Sequence, residues 1–89
     1  MKKITINEFF KSSEKLAIYP RNRKNANALS KAFDKKLYTW RSGARYTIRK
    51  LYDVYGNKPC YDNDRLCSCV DFYKRNGYTI IEFKDVDLS

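Results

Sequence analysis

Apolar side chains change spacing twice within the first half of the chain. In TINEFF, Thr5 and Glu8 stand at capping-box spacing, which opens a short helix that buries Phe9 and Phe10. KLAIYP then reads as a strand from Lys15 to Tyr19, closed by Pro20, because proline has no N–H for a ladder. In RNRKNANALSKAFDKK the period lengthens: Ala26, Leu29 and Phe33 recur at helical spacing, Ala32 lies beside them, and Asn22 is placed to cap. LYTWRSG is predicted to return as a strand ending at a Ser42-Gly43 turn. Strand, helix and strand make a β-α-β unit, although a helix this short can equally join antiparallel neighbours.

Farther on, TIRKLYDVYG sets Ile48, Leu51, Tyr52 and Tyr55 on one helical face, with Gly56 as the stop. NGYTIIEF is predicted as a strand from Tyr78 to Phe83, entered through Gly77. The expected fold is α+β: one small domain over residues 1–89, with a short sheet of about four to five strands and two to three helices.

Between these elements lies CYDNDRLCSC, residues 60–69, which holds all three cysteines. A helical reading aligns Leu66, Cys69, Val70 and Tyr73 and points Cys67 elsewhere. A hairpin reading makes Asn63-Asp64 a two-residue turn, with Cys60 opposite Cys67. The hairpin is preferred, since CYDND is poor helix material. In that register Cys60, Asp62, Cys67 and Cys69 share one face. Three convergent thiols suit a structural zinc, with Asp62 as first candidate for the fourth ligand and Asp71 as second. The spacing departs from standard zinc modules, with CxC in place of CxxC and a single such pair. The competing reading is three buried core thiols.

Composition sharpens this picture. The chain has 89 residues, 43% hydrophobic and 16% aromatic, including eight tyrosines, so large rings supply much of a small core. No signal-peptide pattern or membrane-length apolar run is visible, and the expected location is cytoplasmic, where thiols stay reduced. The net charge of +9 is uneven. Residues 1–50 hold fourteen Lys or Arg against three acids, and residues 51–89 hold five against seven. That asymmetry predicts one basic face for phosphate or an acidic protein surface; the other reading is a solvated charge.

Two stretches concentrate the basic chemistry. RNRKNAN opens a helix after a strand and sets Arg21, Arg23 and Lys24 beside free backbone N–H groups, a place for an anion. WRSGARYTIRK interleaves Trp40, Arg41, Arg45, Tyr46, Arg49 and Lys50, a pattern suited to phosphate contact with base stacking. The alternative keeps Trp40 and Tyr46 in the core. With no histidine in the chain and no evident partner for a Ser or Cys nucleophile, a non-enzyme is expected.

The order of TINEFF, KLAIYP, the W.SG motif, CY.ND and Y..NGY.II.F resembles small proteins encoded by phages and prophages of Gram-positive bacteria. The likeness covers nearly the whole chain through loose motifs, and RNRKNAN stands where that group tends to be acidic. Such proteins include anti-CRISPR inhibitors, some with a structural zinc. The resemblance implies an anti-defence inhibitor in the cytoplasm of an infected host, docking on a CRISPR effector with its guide RNA. Direct nucleic-acid binding as a regulator, and sequestration of a nucleotide immune signal, are the alternatives.

Overall fold

A computed structural model describes residues 3–48 and 58–88. Thr5 starts helix α1 (Ile6–Lys11) through both halves of the capping box. The Glu8 N–H donates to Thr5 Oγ1 at 3.1 Å, and the Thr5 N–H donates to Glu8 Oε1 at 2.9 Å. Each bond occupies a backbone donor that would otherwise lack a partner. Phe9 is buried as expected, whereas Phe10 is half-buried. Just before the helix, β1 (Ile4–Thr5) pairs in parallel with β6 (Val86–Asp87), which ties the two ends of the described chain together.

The strand closed by Pro20 is β2 (Leu16–Tyr19), and it is central in a four-stranded sheet ordered β4-β3-β2-β5. On one side β2 pairs antiparallel with β3 (Pro59–Asp62), and on the other in parallel with β5 (Thr79–Glu82). The short β4 (Cys67–Cys69) completes a hairpin with β3. Strand alternation then sorts the core into two clusters. Leu16, Ile18, Tyr61, Cys67 and Ile81 face α1 and α2 (Arg23–Lys35). Ala17, Cys60 and Ile80 face the other way, towards Val70 and Tyr73 of α3 (Val70–Arg75). With both faces covered, Leu16, Ala17 and Ile18 are all buried, so KLAIYP shows an unbroken apolar run. Six strands and three helices among the described residues make this an α+β fold.

Asn22 caps α2 as its position suggested: Oδ1 accepts the Asn25 N–H at 2.8 Å. At the other end, the Tyr38 N–H reaches Phe33 O at 3.0 Å and the Leu37 N–H reaches Asp34 O at 2.9 Å. These two bonds define a Schellman motif, whose left-handed position usually holds glycine. Here it holds Leu37, at φ 67° and 89% exposed. Leu37→Gly is therefore expected to raise stability by about 1 kcal/mol, read as a higher denaturation midpoint in urea. An unchanged or lower midpoint would mean that the leucine makes a compensating contact.

The left-handed turn at Leu37 also explains why the strand expected in LYTWRSG does not form. Residues 37–43 form no strand: the Gly43 N–H donates to Trp40 O at 2.8 Å and the Trp40 N–H to Ala44 O at 2.9 Å. The strand that follows α2 among the described residues is β3, antiparallel to β2. The helix expected around Leu51, Tyr52 and Tyr55 lies outside the described residues, as do Arg49 and Lys50. No described helix is long and apolar enough to cross a membrane.

Candidate binding surface

Helix α2 divides its circumference between core and charge. Ala26, Leu29, Ala32 and Phe33 are buried, whereas Arg23, Lys24, Asn27, Lys31 and Lys35 are exposed. At 3.6 residues per turn, Lys24, Lys31 and Lys35 fall within about 40° of one another, opposite Phe33. A rise of 1.5 Å per residue spaces them over about 16 Å. From Lys15 to Tyr52 the sequence holds one carboxylate, Asp34, against eleven Lys or Arg. That carboxylate is half-buried and turned to the chain itself. Oδ1 accepts the Tyr46 N–H at 2.9 Å, and Oδ2 accepts the Thr47 N–H at 3.3 Å and the Thr47 hydroxyl. The exposed stripe is thus basic along its length.

The RNRKNAN residues meet this stripe at its start. Arg21, Arg23 and Lys24 are all exposed, but Arg21 is engaged. Its guanidinium donates from Nη2 to Glu82 Oε2 at 3.0 Å and from Nε to Oε1, and it lies 4.8 Å from the centre of the Tyr19 ring. The hydrogen bond from Arg21 holds the Glu82 carboxyl below its ordinary range. A cavity of about 510 Å³ opens there, beyond the C-terminal ends of the parallel strands β2 and β5, lined by Pro20, Arg21, Asn25, Glu82, Phe83 and Lys84. Glu82 pairs with Arg21, one of the cavity's two cations, which weakens it as a seat for a nucleotide.

The second basic stretch loses its aromatic half. Trp40 and Tyr46, expected as stacking residues, are 2% and 0% exposed. The Trp40 ring packs 4.2 Å from Tyr46 and 5.5 Å from Tyr61, because the turn at 40–44 folds it inward over β3. Arg41 and Arg45 remain exposed. Arg41 docks its N–H on Arg65 O at 2.9 Å, joining this turn to the hairpin tip. Burial pushes the Tyr46 phenol well above its usual range, and its hydroxyl has no hydrogen-bond partner among the described residues. Tyr46→Phe is accordingly expected to leave stability unchanged or raise it by up to about 1 kcal/mol in a thermal melt. A clear loss would reveal a partner for that hydroxyl.

The cysteine hairpin forms, but in a different register. Cys60 pairs with Ser68 and Tyr61 with Cys67, one residue away from the expected alignment. Such a slip moves a side chain to the opposite face. Cys60 and Asp62 therefore face α3, while Cys67 faces the α2 side and Cys69 stands at the N-cap of α3. Two interactions set the register. Asn63 is sewn to the segment before β2, accepting the Leu16 N–H at 3.3 Å and donating to Glu14 O at 2.8 Å. Asp62 Oδ1 accepts the N–H groups of Asp64 and Leu66, both at 2.9 Å, which closes a three-residue loop with Arg65 left-handed at φ 67°. The shared face proposed for a zinc site is not formed. Among the described residues, no group of three or more Cys, Asp or Glu side chains is placed to hold a metal. Burial raises the Cys60 thiol to about 12 and the Cys67 thiol further, which keeps both protonated at neutral pH.

No protein-family model, curated protein or solved structure matches the chain significantly. The residues that sequence reasoning passed over are Lys31, Asp34, Lys35 and Leu37. Ile48, expected on the buried face of a helix, is 76% exposed. Asp34 had a signal: it is the one acid in a long basic run.

Proposed function

We propose that the chain is a non-enzymatic docking protein of the anti-defence type, whose basic α2 face engages a host effector nucleoprotein. The observation that carries this reading is the line of Lys24, Lys31 and Lys35 opposite Phe33, with no exposed carboxylate along it. A row of cations on a rigid helix suits a phosphate backbone or an acidic channel, because it gains from each contact without reordering the chain. The phage-like sequence pattern supports the choice of a defence effector, and the basic α2 supplies the electrostatic means.

Three phosphate contacts would give a duplex-binding slope near −2.7 in log K against log salt, or a loss of about 40-fold between 50 and 200 mM. The test is association with a purified CRISPR effector carrying its guide, at both salt concentrations, followed by target loading. Binding that weakens with salt and blocks loading is expected. The triple change Lys24→Glu, Lys31→Glu, Lys35→Glu should abolish it while the melting temperature stays within a few degrees. Failure of the wild type to associate rejects the reading, as does a triple variant that binds like wild type. Equal affinity for naked oligonucleotides would assign the protein to nucleic-acid regulation instead.

A further inference from the structure

The two edges of the four-stranded sheet are not alike. β4 is three residues long and runs straight into α3. β5 is longer, and β2 is its one partner among the described strands. The Thr79 N–H donates to Lys15 O at 2.9 Å. Alternation along the strand therefore turns Thr79 and Ile81 towards β2, and the N–H and C=O groups of Ile80 and Glu82 outward. Burial agrees with an open edge. All of β3 and residues Leu16 to Ile18 of β2 are buried, whereas Thr79 is exposed and Ile80, Ile81 and Glu82 are half-buried. Natural edges are protected by bulges, proline or charge. Here four residues pair one to one with β2, and Thr79, Ile80 and Ile81 bring neither charge nor proline.

Cations frame this edge. Lys15 Nζ lies 5.8 Å from the ring centre of Tyr78, the residue before the strand, and exposed Lys84 lines the cavity at its far end with Arg21. The hydrogen bond from Arg21 is the main force holding the Glu82 carboxyl low, and Lys84 and Lys74 add to it. Glu82 is thus neutralised and Asp85 follows it, while Lys15, Lys74 and Lys84 leave the balance positive. We propose that the open side of β5 is a docking edge, which takes an extended acidic segment of a partner protein as a fifth strand of the sheet. The outward N–H and C=O groups supply main-chain hydrogen bonds, Ile80 and Ile81 offer apolar area on the two faces, and the cations select acidic side chains. A second copy of this chain would set the same cations against each other, and nucleic acid has no amide ladder to add. The edge does not use the α2 stripe, so it stands or falls apart from the docking reading.

The test follows amide exchange in isotope-labelled full-length protein, alone and with the peptide acetyl-Glu-Val-Glu-Val-Glu-Val-Glu-amide. Alone, the Ile80 and Glu82 amides should exchange at least about 10-fold faster than those of Thr79 and Ile81. Saturating peptide should slow them to the rate of the inner pair. The same peptide N-methylated at every residue, and a version with Lys in place of Glu, should each bind at least about 10-fold more weakly. Ile80→Pro removes one outward N–H, leaves the Thr79 bond in place and should abolish the protection. If that variant does not fold, the N-methylated peptide puts the same question to the wild type. Outer amides already protected in the free monomer overturn the proposal, as do amides that stay fast in saturating peptide. Equal binding of the N-methylated or Lys peptide also overturns it. Protection that rises with protein concentration, with a dimer in sedimentation, would assign the edge to a second copy instead. Reversal of Lys24, Lys31 and Lys35 should leave the peptide bound, so the two readings fail on different measurements.

Discussion

Asp62→Ala should cost about 3–5 kcal/mol, a large share of the roughly 5–13 kcal/mol available to a domain of this size. Asp62 is a buried carboxylate at the end of β3 with three donors aimed at it. Oδ1 takes the Asp64 and Leu66 N–H groups, and Oδ2 takes the buried Tyr73 hydroxyl at 2.7 Å. Alanine would release the hairpin loop and leave a phenol unpartnered beneath α3. Asp62→Asn should cost far less, about 1 kcal/mol, because Oδ1 still serves the loop and the amide can donate to the Tyr73 oxygen. Acidity separates the two further. Burial holds the Asp62 carboxyl above its ordinary range, against the pull of the Tyr73 hydroxyl and the two N–H groups. A raised acid binds its proton more tightly when folded. Its contribution is fully present below the unfolded value of about 3.9 and is lost as pH rises through the folded one. Wild type should therefore gain on Asp62→Asn as pH falls from about 7 to about 4, measured by urea denaturation. A gap that does not change with pH would show that the carboxyl is not held high.

The same residue shows what the sequence could and could not disclose. CYDNDRLCSC announces a hairpin by its weak helix propensity, and a hairpin forms there. Its register depends in part on Asn63 bonding to Leu16 and Glu14, partners 47 and 49 residues away, and no local pattern carries that half of the information. The capping box at Thr5 and the Asn22 cap were legible because both bonds close within three residues. The end of α2 was not, since Leu37 occupies a position where glycine is the expected signal. That misreading turned LYTWRSG into a strand; for Trp40 and Tyr46 the core alternative is the one that holds. The basic residues named from sequence stand at the start of α2 and after it; Lys31 and Lys35, which helical spacing sets in line with Lys24, were passed over.

Phe33→Ala is the companion test, and it separates folding from docking. The Phe33 ring stacks parallel to Phe9 with centroids 6.3 Å apart and meets Phe10 and Tyr46 edge-on at 5.0 and 4.8 Å. It also lies 6.1 Å from Tyr61 on β3. One side chain thus joins α1, α2, the segment after α2 and the sheet. Truncation should cost about 3–5 kcal/mol, or on the order of 20 °C in melting temperature. Phe33→Leu, which fills most of the volume, should cost about 1–2 kcal/mol. Fluorescence of Trp40, packed against Tyr46 in the same cluster, reports the loss alongside circular dichroism. A small effect of Phe33→Ala would mean that α2 is held to the sheet by something other than this ring. Because Lys24, Lys31 and Lys35 lie on the opposite side of the helix, the two kinds of variant should part cleanly. Charge reversal removes partner binding at nearly unchanged melting temperature. Loss of the ring removes binding only at temperatures where the domain unfolds.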